Sequence, residues 1–283
     1  MPALESGNQQ RIKAIKVMSK LAKTFQDLHS SSSLLVLPNA WDAGSARLFE
    51  NTGAKAIATT SAGVAWALGY LDGNVLPVEK LAAVVGSITN AIEVPLSVDI
   101  EAGYTDEPKK IADKLKPVIE AGAVGINIED GEGSPDLLVL KIEQARKTAD
   151  SAGVKLFINA RTDVYLNGLG TPESQRDETI SRAALYRSAG ADGIFVPGLC
   201  ESSTIKAIAP EVKIPLNLMA WPDLPSAREL SQLGVRRLSS GAAIAQVLWN
   251  HAEELAERFL KTGDSAIVLK NAMGYSKLQS LFE

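Results

Sequence analysis

The sequence predicts a closed barrel of eight β/α units, a (β/α)8 TIM barrel, preceded by a helix and followed by a helical extension. Two observations predict this fold. Short apolar runs rich in β-branched residues alternate with amphipathic stretches of helical length. A glycine followed by an alanine also recurs just before three of these runs, at 52–54, 121–123 and 189–191, where glycine can end a helix in the left-handed conformation. Such repeated units build a parallel sheet, which is either closed or, as the alternative, doubly wound and open.

Eight runs are predicted to be strands, and amphipathic stretches such as LPVEKLAAVVGSITNAI and LLVLKIEQARKTADSAG between them are predicted to be helices. Because an eight-unit repeat is typical of a closed barrel, we favour the barrel over the open sheet. The predicted strands are LLVLP (34–38), AIATT (56–60), PLSVDI (95–100), GINIED (125–130), LFINAR (156–161), GIFVP (193–197), PLNLM (215–219) and RRLSS (236–240).

Two segments lie outside these units. Residues 8–28 carry an apolar stripe at helical spacing, formed by Ile12, Ile15, Met18, Ala22 and Phe25, which predicts a leading helix. The apolar segment AIVLKNAMGYSKLQSLF near the C-terminus is more than a barrel needs. We expect it to pack on a neighbouring subunit, with its own barrel as the alternative. The predicted division is therefore a leading helix at 1–29, a barrel at 30–250 and a C-terminal helical extension at 251–283.

Composition excludes several classes of function. The net charge is -4 and the chain has no block of Lys or Arg, which argues against nucleic acid as a partner. No apolar run is long enough to span a bilayer, so no membrane association is expected. A single cysteine fits a reducing compartment. We therefore expect a soluble cytoplasmic protein.

Polar residues gather at the predicted carboxyl ends of the strands, where barrels of this kind place their active sites. Asp99 and Glu101 stand two residues apart and would point the same way along an extended chain. Alone, each of these residues could be a helix cap or a loop residue, but five strand ends converge on one mouth. The polar residues at these ends are Thr59, Thr60, Ser61, Asp99, Glu101, Glu129, Asp130, Arg161, Thr162, Asp163 and Asn217.

The types of side chain at these ends predict a hard metal ion. The two histidines, His29 and His251, lie away from the strand ends, and the one cysteine, Cys200, follows the sixth predicted strand in GLCESS, where we interpret it as a buried or loop thiol. A site of carboxylates without His or Cys suits Mg²⁺, for which Mn²⁺ can substitute, and not zinc. We expect Asp99 to bind the ion, with Glu101 and Glu129 contacting it directly or through water.

Four motifs resemble the isocitrate lyase / phosphoenolpyruvate mutase superfamily over roughly residues 30 to 250. They are LPNAWDAGSARLFENTGAKAIATTSAGVAWALGYLDG, SVDIEAGY, GINIEDG and NARTDVYL. The resemblance implies a (β/α)8 barrel whose eighth helix is often exchanged between the subunits of a homodimer or homotetramer. It also implies a small carboxylic acid as substrate, either a 2-oxo or a 2-hydroxy acid, and an enolate or, in the mutases, a phosphoryl fragment as intermediate.

The resemblance also assigns roles to single residues. It implies that Mg²⁺ is held by Asp99 and Glu101, with Glu129 beside them, and that Asp72 reaches the ion through water. It implies that backbone N–H groups hold the substrate carboxylate, and that two side chains complete the substrate site. These remaining residues are Ser61, Ala62 and Gly63 for the backbone donors, and Arg161 and Asn217 for the side chains.

One departure from the superfamily pattern narrows the function. After Glu129 the chain reads DGEGSPDLLVLKIEQA, with no Cys or His and no Lys before Lys141. The loop acid of lyases that cleave methylisocitrate, and the Lys and Asn of the mutases, are therefore missing. The sequence is most similar to the branch with a short loop, which includes oxaloacetate decarboxylases.

We accordingly predict a Mg²⁺-dependent carbon–carbon lyase that acts on a small 2-oxo acid, with decarboxylation preferred. Decarboxylation leaves an enolate that water can protonate, so it needs no loop acid. The alternatives are a lyase of the methylisocitrate type, an enzyme like the phosphonopyruvate or carboxyphosphonoenolpyruvate mutases, and a non-catalytic binder of oxo acids.

Overall fold

A computed structural model describes residues 2–283 of the protein, with side chains described from Lys16 onward. Nine parallel strands form one sheet in the order β1-β9-β8-β7-β6-β5-β4-β3-β2. The two ends of this order are consecutive in the chain, so the sheet closes into a barrel, as predicted. The strands are β1 (Leu35–Leu37), β2 (Asn39–Ala40), β3 (Ile57–Thr59), β4 (Leu96–Asp99), β5 (Gly125–Glu129), β6 (Phe157–Arg161), β7 (Gly193–Phe195), β8 (Leu216–Met219) and β9 (Arg237–Ser239).

The helices lie between the strands and around the barrel. They bury apolar faces against the outside of the sheet, in a core rich in Ile, Leu and Val. No helix in the described part of the chain is both long and apolar enough to cross a membrane. The helices are α1 (Pro2–Ser30), α2 (Ala43–Asn51), α3 (Ser61–Ala67), α4 (Val78–Ala91), α5 (Ile111–Glu120), α6 (Pro135–Ser151), α7 (Pro172–Ala189), α8 (Ser202–Ile208), α9 (Ala227–Gln232), α10 (Ala243–Thr262), α11 (Ser265–Leu269) and α12 (Tyr275–Gln279).

The first predicted strand, 34–38, is corrected to two segments on either side of Pro38. Proline has no N–H group to donate to a neighbouring strand. Before it, β1 pairs with β9, and after it, β2 pairs with β3. The Pro38 carbonyl still accepts a hydrogen bond from the Ala58 N–H at 3.1 Å. The change of partner at one residue therefore closes the barrel.

Helix α1 covers the end of the barrel opposite the carboxyl ends of the strands. Phe25 and Ala22 are buried against Leu35, Ala56 and other apolar side chains at that end. His29 stacks on the Phe157 ring with 4.0 Å between the ring centroids. The leading helix is thus confirmed, and it is longer than the predicted 8–28. The side chains of Ile12 and Ile15 in its predicted stripe lie outside those described.

Helix α10 follows the last strand but leaves most of its surface exposed. Ala245 in its first turn is buried, whereas its side chains from Gln246 onward are exposed. Val36 on the outward side of β1 is also exposed, beside an apolar groove that includes Leu238 and Ile244. The eighth helix therefore does not cover the first strand of its own barrel.

Candidate active site

Charged side chains from three adjacent strands meet at the barrel mouth. Asp99, Glu129 and Arg161 are the last residues of β4, β5 and β6, and Glu129 lies directly opposite Arg161 in the strand register. The guanidinium of Arg161 donates from Nη1 to Glu129 Oε2 at 2.8 Å. It also donates from Nε and Nη2 to the two oxygens of Asp163, at 2.6 and 2.9 Å. Arg161 is therefore held between two carboxylates in one orientation.

Asp130 supports this arrangement through partners that sequence reasoning did not predict. Its Oδ1 accepts from the backbone N–H of Asp163 at 3.0 Å. Its Oδ2 accepts from Arg182 Nη1 at 2.9 Å and from the Tyr186 hydroxyl at 2.6 Å, both on α7. Because Asp130 fixes the backbone of Asp163, it also fixes the carboxylate that orients Arg161.

The mouth carries more negative than positive charge. The pKa of Asp99 is raised to about 6, first by burial and then by the charges of Glu101 and Asp72, while Arg161 opposes the shift. Burial likewise raises the pKa of Glu129 to about 8, with Asp99, Asp163 and Glu101 adding to the effect and Arg161 opposing it. A cation at this place would relieve the repulsion and stabilise both ionised carboxylates.

The donor set fits Mg²⁺. All the candidate ligands are carboxylate oxygens, which Mg²⁺ and Mn²⁺ prefer. Within the described residues, no three side chains of His, Cys, Asp or Glu come together as a ready metal cage. Mg²⁺ typically takes one or two carboxylates and keeps water or substrate oxygens for its other positions. Asp99 and Glu129 are the residues that would hold it.

The sequence pattern predicts that Glu101 lies beside Asp99 on an extended strand. The structure corrects this prediction. Glu101 follows the end of β4 in a turn with a φ of 52°. Its Oε1 accepts from the Tyr104 hydroxyl at 2.9 Å, and its Oε2 accepts from the backbone N–H groups of Gly73 at 2.9 Å and Asn74. The two carboxylates therefore do not stand side by side on one extended strand, and both oxygens of Glu101 already have protein donors.

Asp72 comes from a different loop, which contacts Glu101 at the same mouth through Gly73 and Asn74. It stands in the exposed segment between α3 and α4, next to Gly73. Its charge helps to raise the pKa of Asp99 and that of Tyr104. The structure thus brings Asp72 near the carboxylates, while its contact with a metal through water stays a prediction.

The predicted donors for a substrate carboxylate form the first turn of α3. The Thr60 side chain caps this helix and accepts from the Gly63 N–H at 3.4 Å. A side chain at Gly63 would come within 2.7 Å of Thr60 Cγ2, so only glycine fits. The N–H groups of Ser61 and Ala62 belong to the turn that a helix leaves without internal partners. They are the better placed of the three predicted donors, and the role itself stays a prediction.

Asn217 lies deeper, in a polar layer inside the barrel. It is buried, and its Oδ1 accepts from Asn159 Nδ2 at 2.9 Å. Asn159 Nδ2 also donates to Asn127 Oδ1 at 2.9 Å, and Arg237 Nη2 donates to the same oxygen at 3.4 Å. This layer underlies the mouth, and contact between Asn217 and a substrate stays a prediction.

Comparison with known proteins identifies the family. The model of the phosphoenolpyruvate phosphomutase family matches residues 25–260. The chain belongs to this family. It is 34% identical to the uncharacterized protein MT2054 of Mycobacterium tuberculosis, over 91% of this chain and 95% of that protein. It is 28% identical to 2-methylisocitrate lyase of Escherichia coli, over 69% and 68% of the two chains. It is 29% identical to oxaloacetate decarboxylase of Paraburkholderia xenovorans, over 74% and 71%. The predicted resemblance to the superfamily is confirmed.

In this member of the phosphoenolpyruvate phosphomutase family, the segment after β5 is short and open. Only Asp130 to Ser134 separate β5 from α6, and Glu132 and Asp136 are exposed. A cavity of about 430 Å³ lies between this segment and the loop that carries Gly73. Lys141, the first lysine after β5, is buried beside it and donates to the Ala102 carbonyl at 2.8 Å. The short segment therefore leaves a cavity next to Glu129.

Proposed function

We propose that the protein is a Mg²⁺-dependent lyase that acts on a small 2-oxo or 2-hydroxy acid, with decarboxylation of oxaloacetate as the preferred reaction. One observation carries the proposal: the buried Asp99 and the half-buried Glu129 form a group with excess negative charge beside one fixed arginine. Its family relatives include lyases that act on such acids. The proposed setting is the cytoplasm, where Cys200, a free cysteine, would stay reduced.

Mg²⁺, when bound, supplies a Lewis acid for the keto oxygen of the substrate. Arg161 uses three of its five N–H donors on Glu129 and Asp163, which leaves two for a substrate carboxylate or for developing negative charge. Ser61 and Ala62 offer backbone N–H groups to a second carboxylate. Together these residues would bind and orient a dicarboxylic oxo acid.

Decarboxylation suits a site without a loop acid. The bond between the leaving carboxylate and its neighbouring carbon breaks, CO₂ departs, and the electron pair becomes the enolate of pyruvate. Water from the open mouth can return the proton to carbon. Cleavage of a 2-hydroxy acid would also need a base for the hydroxyl proton, and Asp72 and Tyr104 are the candidates. Tyr104 is the weaker one, because burial and the charge of Glu101 raise its pKa.

The alternatives are a lyase of the methylisocitrate type, a mutase of phosphonopyruvate or carboxyphosphonoenolpyruvate, and a non-catalytic binder. A melting-temperature screen of the protein, with and without Mg²⁺, against 2-oxo acids, 2-hydroxy acids and phosphonopyruvate separates them. The proposal expects oxaloacetate or its analogue oxalate to raise the melting temperature only with Mg²⁺. Stabilisation without turnover would favour a binder, and a response to phosphonopyruvate alone would favour a mutase. No response to any acid would contradict the proposal.

A further inference from the structure

Two loops at the barrel mouth are joined by hydrogen bonds in both directions. The first loop contains Asp72, Gly73 and Asn74, and the second runs from Glu101 to Tyr104. Glu101 Oε2 accepts from the backbone N–H groups of Gly73 at 2.9 Å and of Asn74. In return, Asn74 Oδ1 accepts from the backbone N–H groups of Ala102 at 3.1 Å and Tyr104 at 3.2 Å. We call this arrangement the clasp.

The second loop is anchored on its other side. Glu101 Oε1 accepts from the Tyr104 hydroxyl at 2.9 Å, which fixes the carboxylate within its own loop. The buried Lys141 donates from α6 to the Ala102 carbonyl at 2.8 Å. The second loop is therefore the fixed half of the clasp. The first loop is exposed and depends on the clasp for its position.

The backbone of the clasp adopts a conformation that chains rarely choose. Asn74, Glu101 and Tyr104 have φ values of 61°, 52° and 55°, and the neighbouring Gly73 and Gly103 have φ values of 109° and 89°. A left-handed conformation at a non-glycine residue is unfavourable and persists only where the surroundings determine it. Such strain clusters at functional sites more often than in plain connecting loops.

We propose that Glu101 is a positioning residue that locks Asp72 over the metal carboxylates through Gly73 and Asn74, and that it is not itself a metal ligand. The inference rests on the proposed function, because it assigns Asp72 a place at the proposed Mg²⁺ site. Three donors already occupy the Glu101 carboxylate. A shorter aspartate at this position would lack the methylene group that carries the carboxylate to the neighbouring loop.

The variants are chosen to distinguish two roles of Glu101, holding the neighbouring loop and binding the metal ion directly. Glu101→Asp keeps a carboxylate but shortens the arm, and Glu101→Gln keeps the length but weakens the acceptor. Asn74→Gly removes the returning acceptor while allowing the left-handed backbone. Asp99→Asn removes the proposed ligand and leaves the clasp intact. The double variant Asp72→Asn with Glu101→Asp tests whether Glu101 acts through Asp72.

Two measurements are made on the whole protein: amide hydrogen exchange at residues 72–75, and the affinity for Mn²⁺ by electron paramagnetic resonance. We expect Glu101→Asp, Glu101→Gln and Asn74→Gly to speed exchange at least tenfold. The two Glu101 variants should also weaken Mn²⁺ binding by about the same factor as Asp72→Asn. The double variant should bind Mn²⁺ no more weakly than Asp72→Asn. Asp99→Asn should weaken Mn²⁺ binding most and leave the exchange unchanged.

The proposal is contradicted if Glu101→Asp retains the wild-type Mn²⁺ affinity while Glu101→Gln loses it. A direct metal ligand would give this result, because it needs the carboxylate charge more than the length of the side chain. The proposal is also contradicted if amide hydrogen exchange at residues 72–75 stays at the wild-type rate in Glu101→Asp, Glu101→Gln and Asn74→Gly. It is contradicted as well if the losses of Mn²⁺ affinity caused by Asp72→Asn and Glu101→Asp add in the double variant. A wild-type protein that binds no Mn²⁺ would instead contradict the proposed function. In that case, faster exchange would still show that Glu101 holds the loop.

Discussion

Arg161 is the residue on which the proposed chemistry most depends, and its contacts allow two interpretations. It is held by Glu129 at 2.8 Å and by Asp163 in a bidentate pair. Such contacts can preorganise a donor for developing charge, or they can simply hold the barrel mouth together. The two interpretations differ in what a substitution changes.

We expect Arg161→Ala to lower the turnover of oxaloacetate by a few hundredfold or more. Losing one preorganised donor at developing charge costs roughly 3–4 kcal/mol. Glu132→Ala and Asp136→Ala are the controls, and each should change turnover by less than about tenfold, since neither exposed side chain is assigned a proton. Turnover, Mg²⁺ affinity and melting temperature are measured on all three variants.

A purely structural Arg161 would give another pattern. Arg161→Ala would then lower the melting temperature and the Mg²⁺ affinity, while the substrate affinity of the folded, metal-loaded protein would not change. A large effect of Glu132→Ala or Asp136→Ala with little effect of Arg161→Ala would place the chemistry on the segment after β5.

The burial of His29 predicts how the free energy of unfolding depends on pH. This burial, and then the charge of Arg237, lower the pKa of His29 from 6.5 to about 3. As the pH falls below 6.5, the unfolded chain binds a proton at this residue before the folded protein does. The stability contributed by neutral His29 is therefore complete above pH 6.5 and is lost progressively down to about pH 3.

We expect the free energy of unfolding of the wild type to fall more steeply between pH 6 and 4 than that of His29→Gln, by roughly 1.4 kcal/mol per pH unit. Urea unfolding at several pH values measures both slopes. Equal slopes for His29→Gln and the wild type would contradict the predicted effect of burial.

At this scale, sequence reasoning located residues but not their partners. Asp99, Glu129 and Arg161 were predictable as neighbours because parallel strands end together at one mouth. The left-handed turn at Glu101 was not, because a non-glycine residue gives little sign of a positive φ. The contacts of Asp130 with Arg182 and Tyr186 were also hidden, since they join residues more than 50 positions apart.

Among the elements, the presence of each strand was easier to predict than its first and last residues. Every predicted strand is present, and most ends agree within one or two residues, because the apolar β-branched runs match buried parallel strands. The first strand was the exception, although Pro38 marked the place where its pairing had to change. The apolar stripe at 8–28 covered only part of α1, because the first half of the helix lacks a clear apolar stripe.

Helix α10 carries an apolar surface that its own barrel does not cover. Trp249 and Leu260 are 52% and 85% exposed, and Val247, Leu248 and Phe259 are also exposed. A groove of suitable apolar character lies outside β1, where the eighth helix of a barrel would normally pack. We propose that α10 of a second copy fills this groove in a homodimer or homotetramer.

We therefore expect light scattering to give a dimer or a tetramer at micromolar concentration. The double variant Leu248→Glu with Leu260→Glu should shift the protein towards the monomer, because buried charges oppose the contact. Leu140→Glu, at an exposed apolar residue of α6, serves as the control and should leave the assembly unchanged. A monomeric wild type would contradict the exchange of α10.

For the whole molecule, the repeated β/α pattern determined the fold and the family motifs determined its superfamily. The division into residues 1–29, 30–250 and 251–283 stays a prediction. The substrate could not be predicted to the same degree, because the cavity beside Glu129 is formed by loops whose shape depends on distant contacts. The function therefore has to be decided by measuring the reaction at the barrel mouth.

The most direct test is the initial rate of oxaloacetate decarboxylation by the purified protein with Mg²⁺, corrected for a protein-free blank containing the same Mg²⁺. The proposed function predicts turnover above the blank, loss of that turnover after exhaustive chelation, and its return when Mg²⁺ or Mn²⁺ is added back. Asp99→Asn, which removes the proposed ligand, should stay at the blank rate under all conditions. Undiminished turnover after chelation would contradict the metal-dependent site, and a rate equal to the blank with Mg²⁺ present would contradict oxaloacetate decarboxylation.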